Sequence, residues 1–308
     1  MALQTRGSAP QLYDNIDKEV FTLLFDAQKE LPNFWRQVIN VKKSDRKFER
    51  TLSMVGVGDI PEKGEGAPFT TQVIREGWSK DFTHTEFGAM FEVTKTALED
   101  DQYDQLSQNA RWFMFAARVV EEKRGAILYN NGFSGGGELS PDGVAIFSSA
   151  HVLKGGGTTR NILASPADLA ATSLETALID IQTQTKVEAG QLVAPAMSLT
   201  LHVPPALEFA AERILKSTLI PASPNNDVNA LKRRKWDVVV NPYLTDDDAW
   251  FIQDGNKNHH GMRSYTRVGM ESLPARTDPR TDNRLYPIRW RRSFGCAFWQ
   301  GVFGSPGV

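Results

Sequence analysis

Apolar residues recur every three or four positions through residues 96–132, where Tyr103, Leu106, Ala110, Phe113, Ala117, Val120 and Ile127 form one stripe and predict a single long helix. Thr96 and Glu99 have the spacing of a capping box at its start. Glu99, Asp100 and Asp101 suit the positive end of the helix dipole, Lys123 and Arg124 the negative end, and Asn131 with Gly132 a left-handed stop. At ~1.5 Å per residue the helix is roughly 50 Å long, more than a compact domain needs. Just before it the period drops to two: Phe87, Ala89, Phe91 and Val93 alternate with Glu86, Gly88, Met90 and Glu92, which predicts a strand with one apolar face.

The rest of the chain is patterned in shorter pieces. Residues 1–45 predict an arm around a short amphipathic segment, Val20, Phe21, Leu24 and Phe25. Gly56, Gly58, Pro61, Gly64, Gly66, Pro68 and Gly77 crowd residues 46–77 with breakers and predict a loop without long regular elements. After two glycine-rich turns, Ser165 and Pro166 predict a helix start, with Asp168 in the first turn and Leu174, Leu178 and Ile181 on its apolar face, ending before Gly190. Met197, Leu199, Leu201 and Val203 alternate with polar residues as in a half-buried strand, and Pro204–Pro205 open a helix carrying Leu207, Ala210, Ala211, Ile214 and Leu215. WDVVVNPYL and AWFI, separated by TDDD, predict two paired strands. These pieces make a compact α+β unit at about residues 176–275, and the aromatic-rich LYPIRWRRSFGCAFWQGVFG is expected to return onto the long helix. The order is arm, loop, strut, inserted unit, return strand, without a fixed repeat.

Composition narrows the function classes. With 308 residues, 41% hydrophobic and 23% charged, the chain has the make-up of a soluble protein with room for two cores. A net charge of −2 gives no global basic field for nucleic acid or an acidic membrane. The one cysteine, Cys296, excludes an internal disulfide framework and points to a reducing compartment. No apolar run approaches the ~20 residues of a membrane span, and residues 1–20 lack the apolar core of a signal peptide, so neither insertion nor export is expected.

Candidate chemistry is sparse. Gly132–Gly136 fits G-x-S-x-G around Ser134, with Asp246 and His259 downstream in the order of a serine hydrolase, but the elbow needs a strand before the serine and here a helix precedes it. His259 and His260 beside Asp246–Asp248 suggest a metal, yet adjacent strand residues point to opposite faces. Gly155–Gly157 lack the Lys-Ser/Thr pair of a phosphate loop, and His151 fits a hydrogen-bonded loop histidine. No catalytic residue, cofactor or metal is expected. The basic run Lys232–Lys235 and the arginines around 276–292 fit a solvated face or, because guanidinium binds carboxylate in two-point fashion, contacts between subunits.

The order EGWSKDFTHTEFGAMFEVTKTALEDDQYDQL, a helix ending in EEKRGAILYNNGF, then IFSSAHVL, NILASPADLAATSLETAL, LTLHVPPALEFAAERIL and WDVVVNPYLTDDDAWFI resembles tailed-phage major capsid proteins, closest to the Mu-like major head subunit group with its Hong Kong 97-type fold. The resemblance spans roughly residues 70–300. It implies an N-terminal arm at 1–45, an extended E-loop at 46–95, a P-domain at 96–175 with the spine helix 96–132, an A-domain at 176–275, and a return to the P-domain at 276–308. It further implies a non-enzymatic shell subunit assembling as hexamers and pentamers around double-stranded DNA without sequence-specific contact. Portal and scaffolding proteins are its expected partners during assembly, decoration proteins are a further class, no membrane is involved, and the virion capsid forms in the host bacterial cytoplasm. The alternatives are an encapsulin-like nanocompartment and the Ser134 hydrolase. Phe69, Trp78, Phe82, Phe87 and Phe91, with Arg233, Arg234, Arg289 and Arg291, are the expected intersubunit contacts.

Overall fold

The computed structural model describes residues 33–99, 103–192, 198–219 and 228–308. The arm segment Val20–Phe25 lies outside them. In chain order the elements are α1 Phe34–Val38, β1 Asn40–Lys43, β2 Phe48–Gly56, β3 Arg75–Thr83, β4 Thr85–Val93, α2 Lys95–Glu99, α3 Tyr103–Asn130, β5 His151–Val152, β6 Thr158–Thr159, α4 Ala171–Thr183, β7 Ser198–Val203, α5 Glu208–Lys216, β8 Lys235–Val240, β9 Trp250–Asp254, β10 Met262–Ser272, β11 Arg276–Thr277, β12 Arg284–Cys296 and β13 Val302–Ser305. Two compact units divide them: His84–Lys123 with Thr266–Arg292, and Phe34–Thr83 with Arg124–Tyr265 and Ser293–Val308.

The first unit is built on β12. It pairs antiparallel with β4, Trp290 opposite Phe87 and Tyr286 opposite Phe91, and also with β10 and β11. Ala110, Met114 and Ala117 of α3 close over Tyr286, Ile288, Trp290 and Val93. The predicted stripe therefore holds at Ala110, Phe113 and Ala117 but drifts afterwards: Val120 and Ile127 are exposed, while Arg118 and Glu121 are buried. At 100° per residue, position 121 lies ~20° around the helix from Ala110 and position 120 lies ~80° away, so the polar residue inherits the core face. The start also differs. The expected single helix 96–132 is described as two segments, α2 from Lys95 and α3 from Tyr103, with residues 100–102 outside the described set, and Thr94, not Thr96, accepts the Ala97 N–H at 3.3 Å.

The second unit holds a four-stranded sheet in the order β13-β9-β7-β8, with β7 parallel to β8 and antiparallel to β9, and β9 antiparallel to β13. The expected hairpin of WDVVV with AWFI does not form, because β7 lies between them. Nor is β7 half exposed. Leu199, Leu201 and Val203 pack with Leu174, Leu178, Ala211 and Ile214 of α4 and α5, and on the other side His202 meets Tyr129 edge-on at 4.4 Å. Layers on both faces bury its polar positions too. Tyr129 belongs to a second core with Trp35, Ile39, Phe147, Val239 and Phe251.

Three local expectations change for stated reasons. Helix α4 starts at Ala171, because Ser173 Oγ takes the Ala170 N–H at 2.8 Å, while Asp168 accepts the Val308 N–H at 3.0 Å. The end of α3 is not a left-handed stop: Gly132 lies outside the positive-φ glycines, and a Cβ there would meet the Phe147 ring at 2.6 Å. Residues 46–77 are not a plain loop, since β2 and β3 are nine-residue strands paired as a hairpin and most of the breakers gather between them.

Candidate functional site

A lone two-stranded hairpin is marginal in water, so the β2–β3 pair needs outside support. Its base has that support within the second unit. Arg50 grips Asp81 across the strands with two 2.6 Å bonds, and the hydrogen bond from Arg50 holds the Asp81 carboxyl below the usual range. Ser53 Oγ accepts the Trp78 N–H at 2.7 Å, and Phe82 packs edge-on to Tyr265 with centroids 4.9 Å apart. The Trp78 indole donates to the Val152 carbonyl at 3.2 Å while the Lys154 ammonium sits 3.9 Å over its ring. Lys80 reaches Glu138 at 2.7 Å.

The turn that receives Trp78 is itself held from below. His151, fully buried, bonds Asp142 through Nδ1 at 2.8 Å and Asn161 through Nε2 at 3.1 Å, and stacks on Trp299. Burial alone would raise the Asp142 carboxyl, but the His151 hydrogen bond and charge, with backbone N–H groups, outweigh it and hold the acid below its ordinary value. Gly156 and Gly157 adopt positive φ in the tight β5–β6 turn, and a Cβ at Gly155 would lie 2.5 Å from the Glu188 carbonyl oxygen, which accounts for the three glycines there. This is structure, not a phosphate cradle.

Outside these contacts the hairpin is bare. Phe48, Leu52 and Met54 share the open face of β2, and Ile60, Phe69, Val73 and Ile74 stand in solvent, Phe69 at 87% exposure. Contiguous exposed apolar surface marks a place for a partner. Leu52 and Met54, with Phe48 beyond Arg50 on the same face, carry a short period-two signal for that face within a segment dominated by breakers.

The expected contact residues separate by environment. Phe69 is open, with Lys63 4.7 Å from its ring, and Trp78 is half-buried. Phe82 is buried at 2%, so it has no surface left to offer a neighbour. Phe87 stacks on Trp290, and Phe91 lies between Phe113 and Tyr286 at 5.9 and 6.2 Å. Arg289 pairs with Glu271 at 2.8 Å and Arg291 approaches Glu86 at 3.9 Å, both within one subunit. Arg233 is exposed and Arg234 half-buried. The pattern also missed Trp112 and Phe115, an exposed edge-on pair on α3 with centroids 5.9 Å apart.

The chemical alternatives resolve locally. Ser134 follows a helix and donates to the Asn131 carbonyl at 3.2 Å, while His259 is held by Asp254 at 3.1 Å. No nucleophile elbow forms. His260 points into the interior, and burial pushes its imidazole down to about 4.

The family described as phage capsid protein matches residues 79–304. Among solved structures, the chain is similar to the capsid of cyanophage P-SCSP1u, with 11% identity and TM-score 0.58 over 89% of this chain and 88% of that one. It is similar to the capsid of an empty GTA particle, with 14% identity and TM-score 0.53 over 89% and 90%. It is similar also to the procapsid of bacteriophage JBD30, with 17% identity and TM-score 0.52 over 96% and 75%. At these identities the likeness concerns the fold. No curated protein matches.

Proposed function

The chain belongs to the phage capsid protein family, and from that membership we propose that it is the major shell subunit of a tailed phage, tiling an icosahedral head as hexamers and pentamers. The family match over residues 79–304 carries this, together with a mixed α+β fold of the Hong Kong 97 type. The order of segments further favours the Mu-like head subunits. The role is structural rather than catalytic, in keeping with Ser134 bound to the Asn131 carbonyl. The encapsulin-like compartment is the less favoured reading, since the family is a phage one.

In this reading 46–95 is the E-loop, 96–175 the P-domain, 176–275 the A-domain, and 1–45 and 276–308 the arm and return. The open apolar face of β2 and the Ile60–Ile74 tip, with Phe69, cover a neighbouring copy; burying such surface is worth ~25 cal/mol per Å² before the cost of association. Trp78, Phe87, Phe91, Arg233, Arg234, Arg289 and Arg291 stand as secondary contacts. Portal, scaffolding and decoration proteins are the expected partners. Double-stranded DNA fills the shell without base-specific contact, and assembly takes place in the host cytoplasm. Electron microscopy of the expressed protein tests the proposal: shells, tubes or rings are expected, and a monodisperse monomer under every assembly condition would overturn it.

A further inference from the structure

Strand β8 carries opposite charges at its two ends. Lys232 and Arg233 lie in the short 3-10 turn Ala230–Arg233, and Arg234 and Lys235 follow directly as the strand begins. The end of α5 lies beside them, because Asn229 Nδ2 donates to the Ile214 and Ser217 carbonyls and Lys232 Nζ reaches Thr218 Oγ1 at 3.2 Å. Arg213 thereby extends the basic surface, while Lys216 is matched by Glu212 at 2.6 Å. After Val240 the chain turns through Asn241–Leu244, whose Leu244 is buried, and presents Asp246, Asp247 and Asp248 to solvent before entering β9. The five steps from Lys235 to Val240, at ~3.3 Å each, put roughly 17 Å of strand between the basic end and the turn that carries the aspartates.

That separation matters more than either charge. Asp246 and Asp247 make no ion pair among the described residues; Asp246 only accepts the Asp248 N–H, at 3.1 Å. Lys232, Arg233 and Lys235 are exposed. Each group is complementary to the other and, on a strand fixed in a four-stranded sheet, cannot reach it. Complementary patches at different places on one rigid body can be satisfied only head to tail, and a head-to-tail contact that closes makes a ring. The chain's net charge of −2 hides this polarity.

We propose that the basic end of β8 on one copy seats against the Asp246–Asp248 turn of the next copy around a capsomer. This rests on the shell reading and names the partner surface of the basic run. A single exposed ion pair contributes ~0–1 kcal/mol, so each contact is weak and reversible, while a closed ring multiplies it by effective concentration. The same charges steer encounter and orient copies before apolar surface is committed.

The test is charge reversal read by the protein concentration at which particles form. Arg233→Glu with Lys235→Glu, and separately Asp246→Lys with Asp247→Lys, are each expected to raise that concentration roughly tenfold or more, which corresponds to ~1.4 kcal/mol. All four changes together are expected to restore it, and added salt to weaken assembly of the unaltered chain. Unaltered particles built from isotopically light and heavy subunits and treated with a carbodiimide are expected to yield intersubunit links from Lys232 or Lys235 to Asp246 or Asp247. Particles that form with unchanged concentration dependence in either reversal, or a folded fourfold variant that does not recover, overturn the contact and leave the shell reading standing. Should the variants not fold, absence of those links in unaltered particles overturns it instead. An unaltered chain that stays monomeric removes both.

Discussion

The imidazole of His151 lies face to face with the indole of Trp299, centroids 4.5 Å apart and planes 10° from parallel. The ring is thereby fixed so that one nitrogen serves Asp142 and the other Asn161, in a site with no solvent. His151→Ala removes both bonds and leaves the Asp142 carboxylate enclosed. A loss of ~3–5 kcal/mol is expected, since the buried carboxylate loses its ring partner and keeps only the Val144 and Val152 N–H groups. Urea unfolding measures it, and a loss below ~1 kcal/mol would contradict the account.

Two other histidines predict acid sensitivity. Burial pushes His202 down to about 3 and His260 down to about 4, so both are neutral in the folded subunit at neutral pH. The folded values are lowered, so the unfolded chain binds the protons first, near its ordinary ~6.5. Stability is therefore whole above that pH and drains as pH falls towards 4. Two protons at ~1.4 kcal/mol per pH unit each give a slope of up to ~2.7 kcal/mol per unit. Unfolding midpoints of the dilute subunit between pH 7 and 4 check this, and His202→Leu should halve the slope.

In the first unit, Glu121 makes ion pairs with Arg118 at 3.1 Å and Arg292 at 2.8 Å, all three side chains almost wholly enclosed. Glu121→Ala is expected to destabilise by ~3–5 kcal/mol, because two guanidinium groups lose their shared carboxylate. Replacing all three with Met, Leu and Met should recover much of the loss, as apolar substitutes of similar volume do elsewhere. Thermal unfolding of the single and triple variants separates the charge effect from simple misfit. If the triple variant is no better than the single one, the cluster is not the cause.

Glycines give a matched pair. A Cβ at Gly261 would lie 1.7 Å from the Phe298 carbonyl oxygen and 2.4 Å from its nitrogen, backbone that cannot step aside. Gly261→Ala is expected to cost roughly 4 kcal/mol or more and to yield little soluble protein. Gly136 has open space around it, so Gly136→Ala should change the melting temperature by no more than a degree or two. Equal effects at the two positions would refute the packing argument.

The sequence was most legible where one period governed a long stretch. Ala110, Phe113 and Ala117 on α3 and the Phe87–Val93 alternation on β4 were readable because each has one buried face. It was least legible where two layers meet. His202 and Thr200 look like the outward positions of a half-buried strand, yet Tyr129 and its neighbours cover them from the second side. Pairing order is equally silent: nothing local in WDVVV or AWFI announces that β7, more than thirty residues upstream of β8, will come between them. Of the proposed assembly surface, Phe69 is readable as an aromatic among breakers. The face of Phe48, Leu52 and Met54 was obscured by glycines that belong to the tip, and Phe82 could not be told from an exposed aromatic until Tyr265 was seen against it.

The last strand of the sheet has a bearing on synthesis. β13 pairs with β9 through Val302–Gln253 and Ser305–Trp250, and Gly304 bridges Ile162, so the outer edge of β9 stays unzipped until residues 302–305 have left the ribosome. A nascent subunit thus shows its charged β8 ends early but keeps a sticky backbone edge of the kind that invites misassociation. A polypeptide stopped at Gly301 is accordingly expected in the insoluble fraction, where it cannot be co-incorporated and poison the lattice.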